Sequence, residues 1–208
     1  MVKITNFIVT AFVTVGTVYE EILATHLLPS LTKLNLDYHI ESVESKGSWL
    51  ANVALKPKTI LEALEKYPSK NIVCLDADSE VLHYPELFHD IPEDYDIACH
   101  HLNWNVWYGY THSEPVKELL TGTMWFKNTE KVKNVIREWA AKAETTHMWE
   151  QKVLADVLKR HEEIKIYPLP IEYCYILTLP SGKPPILQVD KPIIAHHQVS
   201  RKYKRKMR

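Results

Sequence analysis

Apolar residues recur along this chain with two alternating periods. The stretch FIVTAFVTVGTV (7–18) is apolar with three threonines and reads as a first buried strand that turns into a helix. Ile22, Leu23, His26, Leu27 and Leu31 then repeat at helical spacing, which predicts a helix over 20–34, and LDYHI (36–40) predicts a short second strand. Pro57 opens a helix through Lys66, since proline is tolerated in a first helical turn, and Ile60, Leu61 and Leu64 give it an apolar stripe. Strands are predicted at 71–75, 95–99, 120–126, 164–169 and 192–195. Asn128 or Thr129 caps a helix to about Glu144, and Thr145 and Thr146 cap another through about Arg160. The later half holds more strands than crossover helices, so the pattern predicts one α/β domain whose central sheet is mixed and flanked by helices.

Composition supports a packed core, with 46% hydrophobic and 25% charged residues in 208. Residues 7–18 are too few to span a bilayer, which takes roughly 20. They lack the basic start and small-residue cleavage site of a signal peptide, and Tyr19-Glu20-Glu21 follows. Cys74, Cys99 and Cys174 stand apart, suit a reducing compartment, and form neither a disulfide framework nor a metal-ligand pattern. A cytoplasmic location is the expectation. The final eight residues, RKYKRKMR, hold six of the 25 basic residues, which leaves 19 against 26 acidic in residues 1–200. The body therefore has no electrostatic footprint for nucleic acid. The division expected is a domain over 1–200 and a basic tail over 201–208 that closes over a ligand or meets membrane phosphates.

The segment NIVCLDADSE (71–80) carries the strongest chemical signal. A hydrophobic strand ends in Asp76 and Asp78, whose side chains in extended backbone leave the same side with Cα atoms about 6–7 Å apart. In open α/β sheets ligands collect at the carboxyl ends of strands. Two carboxylates held together need a cation or a shared proton. A hard divalent ion, Mn²⁺ or Mg²⁺, meets that need and binds substrate phosphates as well. Two families place D-x-D after such a strand. Haloacid-dehalogenase-like phosphatases would use Asp76 as nucleophile, but they usually carry the motif on the first strand and want Thr or Val where this chain has Glu80. Metal-dependent nucleotide-sugar glycosyltransferases of the GT-A fold place it after an N-terminal nucleotide-binding half, as here.

Further segments follow in order. Trp49, Asn52 and Lys56-Pro57 precede the aspartates and Pro85 to Phe88 follow them; then come TGTMWFKNT (121–129), WEQKVLADVL (149–158) and HHQVSRKYK (196–204). Over most of its length the chain resembles nucleotide-diphospho-sugar transferases related to glycogenin and bacterial galactosyltransferases. The resemblance implies a glycosyltransferase of hexosyltransferase type, using a nucleotide-sugar donor, UDP-linked, and a carbohydrate or other hydroxyl acceptor. It implies Asp78 as direct metal ligand, Asp76 at the ribose or a metal-bound water, and His196 as third ligand, with His197 as its competitor. Lys56 and Lys202, or Arg201 in its place, would meet the diphosphate. Gln151 would face the reacting sugar carbon, and Glu150 would bind the sugar or acceptor hydroxyls or act as a base if the enzyme inverts; the pair leans towards retention. By placement, Thr10, Ala11 and Phe12 would contact base and ribose, and Tyr19 would stack on uracil. Gly122 would allow close approach of substrate to the backbone. Trp104, Trp107, Tyr108 and Tyr110 are either acceptor platform or core. The alternatives kept are the phosphatase and an inactive nucleotide-sugar-binding module.

Overall fold

In the strand β3 (Asn71–Leu75), Ile72 and Cys74 enter one apolar layer while Val73 and Leu75 enter another. A strand buried on both faces needs such an unbroken apolar run. The computed structural model describes residues 5–111, 113, 114, 116–146, 148–179 and 181–199. Within them β3 lies inside a six-stranded sheet with β1 (Phe7–Thr14), β2 (Tyr38–Val43), β5 (Ile97–Asn103), β6 (Lys117–Phe126) and β7 (Ile166–Pro168), in the order β2-β1-β3-β6-β5-β7. The β1–β2, β1–β3 and β5–β7 pairs are parallel, and β6 is antiparallel to both neighbours. The mixed sheet expected from the pattern is present.

One face is covered by α4 (Lys56–Lys66), α7 (Glu130–Thr145) and α8 (Glu150–Leu158), whose Ile60, Leu64, Ile136, Trp139 and Leu154 pack with Met124 and Phe126 of β6. The other face is covered by a helical run over 18–33, made of α1 (Val18–Ile22), a π-helical turn (Leu23–Leu27) and α2 (Leu28–Lys33). The short α5 (Leu87–Asp90) and a three-stranded sheet, β4-β9-β8, join it there. In that sheet β4 is Ser79–Val81, β8 Tyr175–Ile176 and β9 Ile194–His196. Each buried Leu, Ile or Phe contributes about 1.5–3 kcal/mol, against about 0–1 kcal/mol for an exposed ion pair, so the two apolar layers hold the fold.

Strand and helix ends shift by a few residues from the expected ones. The larger correction concerns Thr145 and Thr146. Their hydroxyls donate back to the Ala141 and Lys142 carbonyls and end α7, whereas α8 starts later, at Glu150. Thr129 does cap α7, accepting from the Val132 N–H. Asn128 instead donates from its side-chain amide to the Leu64, Tyr67 and Lys70 carbonyls and fastens the end of α4. Five short strands and α-helices carried no legible period: β4, β8, α3 (Trp49–Val53), α5 and α6 (Trp104–Tyr108).

Candidate active site

β3 runs out at Leu75 and delivers Asp76 and Asp78 to one end of the large sheet. Antiparallel β6 passes alongside, and the Asp76 N–H donates to the Gly122 carbonyl (2.9 Å). β9 then pairs with β4 so that His196 lies opposite Ser79. The His197 N–H donates to the Asp78 carbonyl (2.9 Å) and the Val199 N–H to Asp78 Oδ2 (2.8 Å). Gln198, between them, takes a left-handed conformation (φ 55°) that turns both N–H groups onto one residue. The end of β9 is thereby clipped onto the D-x-D segment.

Asp76, Asp78 and His196 each offer a ligand atom, and these atoms lie within 4.8 Å of one another. Gly122 backs this cluster: a Cβ there would stand 2.8 Å from His196 Cε1, 3.1 Å from its Nδ1 and 3.3 Å from Asp76 Oδ2. Asp78 and His196 are buried, Asp76 about one-third exposed. Burial, and next the charge of Asp76, push the Asp78 carboxyl up to about 7, against the pull of the Val199 N–H. Burial holds His196 down at about 4, so its imidazole is neutral at ordinary pH. Its Nε2 lies 2.9 Å from Thr123 Oγ1 and its Nδ1 3.2 Å from Ser79 Oγ. Two carboxylates and a neutral imidazole form a donor set that Mn²⁺ accepts, and their convergence fits a divalent ion.

Beside the cluster, the Lys56 ammonium is buried and donates to Asp76 Oδ1 (2.6 Å), with Glu150 Oε1 at 3.3 Å and Thr121 O and Oγ1 both at 3.3 Å. Burial opposes its charge, yet the Asp76 and Glu150 carboxylates outweigh that and hold its pKa above the ordinary value. Glu150 is pushed up by burial, with Lys56 pulling the other way. Its Oε1 accepts from Thr121 Oγ1 (3.0 Å), while its buried Oε2 has no hydrogen-bond partner among the described residues. Gln151 accepts from the Thr121 N–H (3.2 Å) and donates to Glu118 Oε1 (2.7 Å), and Trp104 Nε1–H donates to Glu118 Oε2 (2.8 Å). A polar chain therefore runs from Trp104 through Glu118, Gln151, Thr121, Glu150 and Lys56 to Asp76.

These groups line a cavity of about 530 Å³, within the range of small-molecule sites. Phe12, Tyr19, Lys56, Asp76, Asp78, Gly122, Glu150, Gln151 and His196 all border it. Thr10 and Ala11 do not: the Thr10 hydroxyl donates to the His39 carbonyl, and Ala11 packs in the core beneath the helical run. His197 turns away, towards Glu80 (3.0 Å). The aromatic stretch divides, Trp104 and Tyr108 bordering the cavity and Trp107 entering a separate core cluster. Arg201 and Lys202 lie outside the described residues. Glu118 and Thr121 escaped the sequence reading; the available signal was polar side chains, Glu118, Thr121 and Thr123, set among the buried apolar residues of the strand KELLTGTMWF.

A family model for nucleotide-diphospho-sugar transferases matches residues 42–208. The chain belongs to that family. The transferase has no match among curated proteins by sequence. Its fold is shared with solved glycosyltransferases. One, involved in glycosylation of the major capsid of the virus PBCV-1, is 15% identical with a TM-score of 0.64, over 97% of this chain and 98% of that one. Another is mouse xyloside xylosyltransferase 1, 10% identical with a TM-score of 0.50, over 93% of this chain and 98% of that one. The third, GlyE of Streptococcus pneumoniae, is 13% identical with a TM-score of 0.60; the match covers 93% of this chain and about half (54%) of GlyE. These neighbours have GT-A-like folds, and the transferase shares the architecture. It is a glycosyltransferase, which sets aside the phosphatase and the inactive module. No described helix is long and apolar enough to cross a membrane.

Proposed function

We propose that the cavity binds a UDP-sugar together with Mn²⁺, Mg²⁺ being the substitute, and that the sugar passes to an acceptor hydroxyl with retention of configuration. The observation that carries this reading is the convergence of Asp76, Asp78 and His196 at the end of β3, within the cavity. Those three residues would hold the ion, which when bound neutralises charge on the leaving diphosphate.

The chain's own groups have separable roles in this reading. Phe12 and Tyr19 border the cavity and offer aromatic faces to the base. Lys56 keeps Asp76 and Glu150 in place by balancing their charge, and a shift of its ammonium would bring it to a phosphate oxygen. Glu150 Oε2, a buried acceptor without a partner among the described residues, is suited to orient a sugar or acceptor hydroxyl. Glu118 and Gln151 brace each other, and Trp104 and Tyr108 supply a platform for the acceptor. The resemblance at 196–204 supports Lys202, or Arg201, as a further diphosphate contact and 201–208 as a closing segment. Retention rests on the resemblance at Glu150-Gln151.

Calorimetric titration of UDP with and without Mn²⁺ tests the reading. Binding that needs the ion and is lost in Asp78→Asn is the expected result. UDP binding that ignores both changes would overturn the metal assignment, and failure to bind UDP while another nucleotide binds would overturn the base. The anomeric proton coupling of the product, read by NMR, tests retention.

A further inference from the structure

We infer that His26, Glu80 and His197 form a second metal site, for Zn²⁺, on the far side of the small sheet from the acidic cluster. Side chains alternate along β4 and the end of β9. Ser79 and His196 pair and meet on the cavity side, at 3.2 Å. Glu80 and His197 consequently leave on the opposite side, where His197 Nε2 lies 3.0 Å from Glu80 Oε2. The helical run packs there against β4, whose Val81 N–H donates to Ser30 Oγ. His26 falls in the π-helical turn Leu23–Leu27, an irregularity frequent at functional sites. The turn buries Leu23 and Leu27 and sets His26 over His197, with ring centroids 3.9 Å apart and planes 28° apart.

The three side chains offer one ligand atom each, all within 4.8 Å. Hydrogen bonding alone serves them unequally. The same Glu80 oxygen lies 3.0 Å from His197 but 3.5 Å from His26 Nδ1, and the second distance is too long for a good hydrogen bond. A cation bonded to all three would satisfy each, provided that one imidazole turns out of the present stack so that both nitrogen lone pairs meet the ion in the planes of their rings. Two imidazoles and one carboxylate are a zinc donor set with a fourth position open to water, and nitrogen donors favour Zn²⁺ over Mn²⁺. All three side chains keep between a quarter and a third of their surface exposed, so an ion can enter from solvent. Zinc here would tie the helical run, β4 and the end of β9 together.

The test is metal stoichiometry, which does not depend on the nucleotide or sugar. Untagged full-length protein, stripped with chelator, is titrated with Zn²⁺ by calorimetry and with Co²⁺ by visible absorption. Wild type is expected to take two equivalents and Asp78→Asn to retain one. His26→Gln should lose the other, weakening that Zn²⁺ site by at least about tenfold, while Mn²⁺-dependent UDP binding is unchanged. Glu80→Gln serves as a second variant of the same size. Loss of all Zn²⁺ binding in Asp78→Asn, or two undiminished equivalents in both His26→Gln and Glu80→Gln, would overturn the assignment.

Discussion

Lys56 brings one positive charge to a place where Asp76, Asp78 and Glu150 bring three carboxyl groups. Removing one partner of a buried pair costs about 3–5 kcal/mol. Lys56→Met should fall at the lower end, about 3 kcal/mol, because Asp76 is about one-third exposed. Urea denaturation measures this, and a loss below about 1 kcal/mol would show that the pair carries no net weight. Gly122→Ala adds a methyl that His196 has no room to accept, so Mn²⁺ affinity should drop about tenfold or more, with little change in the far-ultraviolet circular dichroism. Protons act on the same cluster. Folding raises the Asp78 pKa from 3.8 to about 7, so the stability it contributes is full below 3.8 and is lost as pH rises towards 7. His196 acts oppositely: folding lowers its pKa from 6.5 to about 4, and its contribution is present above 6.5 and lost as pH falls towards 4. Metal-free Asp78→Asn should therefore gain stability relative to wild type between pH 4 and 7. Mn²⁺, which displaces the Asp78 proton, should bind wild type more tightly over the same interval.

At the junction of α7 and α8, Trp139 Nε1–H donates to the Glu150 carbonyl (2.9 Å) and fixes where α8 begins. That start decides where Glu150 and Gln151 meet Thr121. Trp139→Phe keeps the ring in the core and removes this bond, so it should cost about 1 kcal/mol and weaken turnover more than UDP binding. Equal losses in both would show that α8 positions no acceptor-side group. β9 is three residues long, yet through its pairing with β4 and two N–H groups just beyond it the strand joins the Asp78 backbone to His196. The pattern places an apolar strand there, but its position comes from β4, more than a hundred residues away, together with the nearer β8.

Across the molecule, the cavity lies where β3, β6, β9 and the start of α8 meet, beneath a face bordered by Trp49 and Trp149. Ligands that occupy it should stabilise the fold as a unit. With UDP and Mn²⁺ at about 100 times their dissociation constant, linkage gives about 2.7 kcal/mol, readable as a rise in Tm that Asp78→Asn abolishes. A Tm indifferent to both ligands would show that the fold binds neither.

Local pattern is enough to announce an α/β domain, a strand ending in Asp76 and Asp78, and the helix over Lys56–Lys66, because each depends on residues within one strand or one turn. The order of the family segments likewise points to Glu150, Gln151 and His196. Other properties come from contacts between segments far apart in sequence. His196 rather than His197 faces the aspartates because β9 pairs in one register with β4, and a shift of one residue would exchange them. Lys56 meets Asp76 and Glu150 because α4, β3 and α8 converge. Thr10 shares a strand face with Phe12 and Thr14, which border the cavity, but it lies earlier on β1 and its hydroxyl is taken up by the His39 carbonyl of β2. Thr145 and Thr146 could open a helix or close one, and Trp139 settles the choice by anchoring the next helix at Glu150. Periodicity reports which residues are buried; register and packing decide which of them meet.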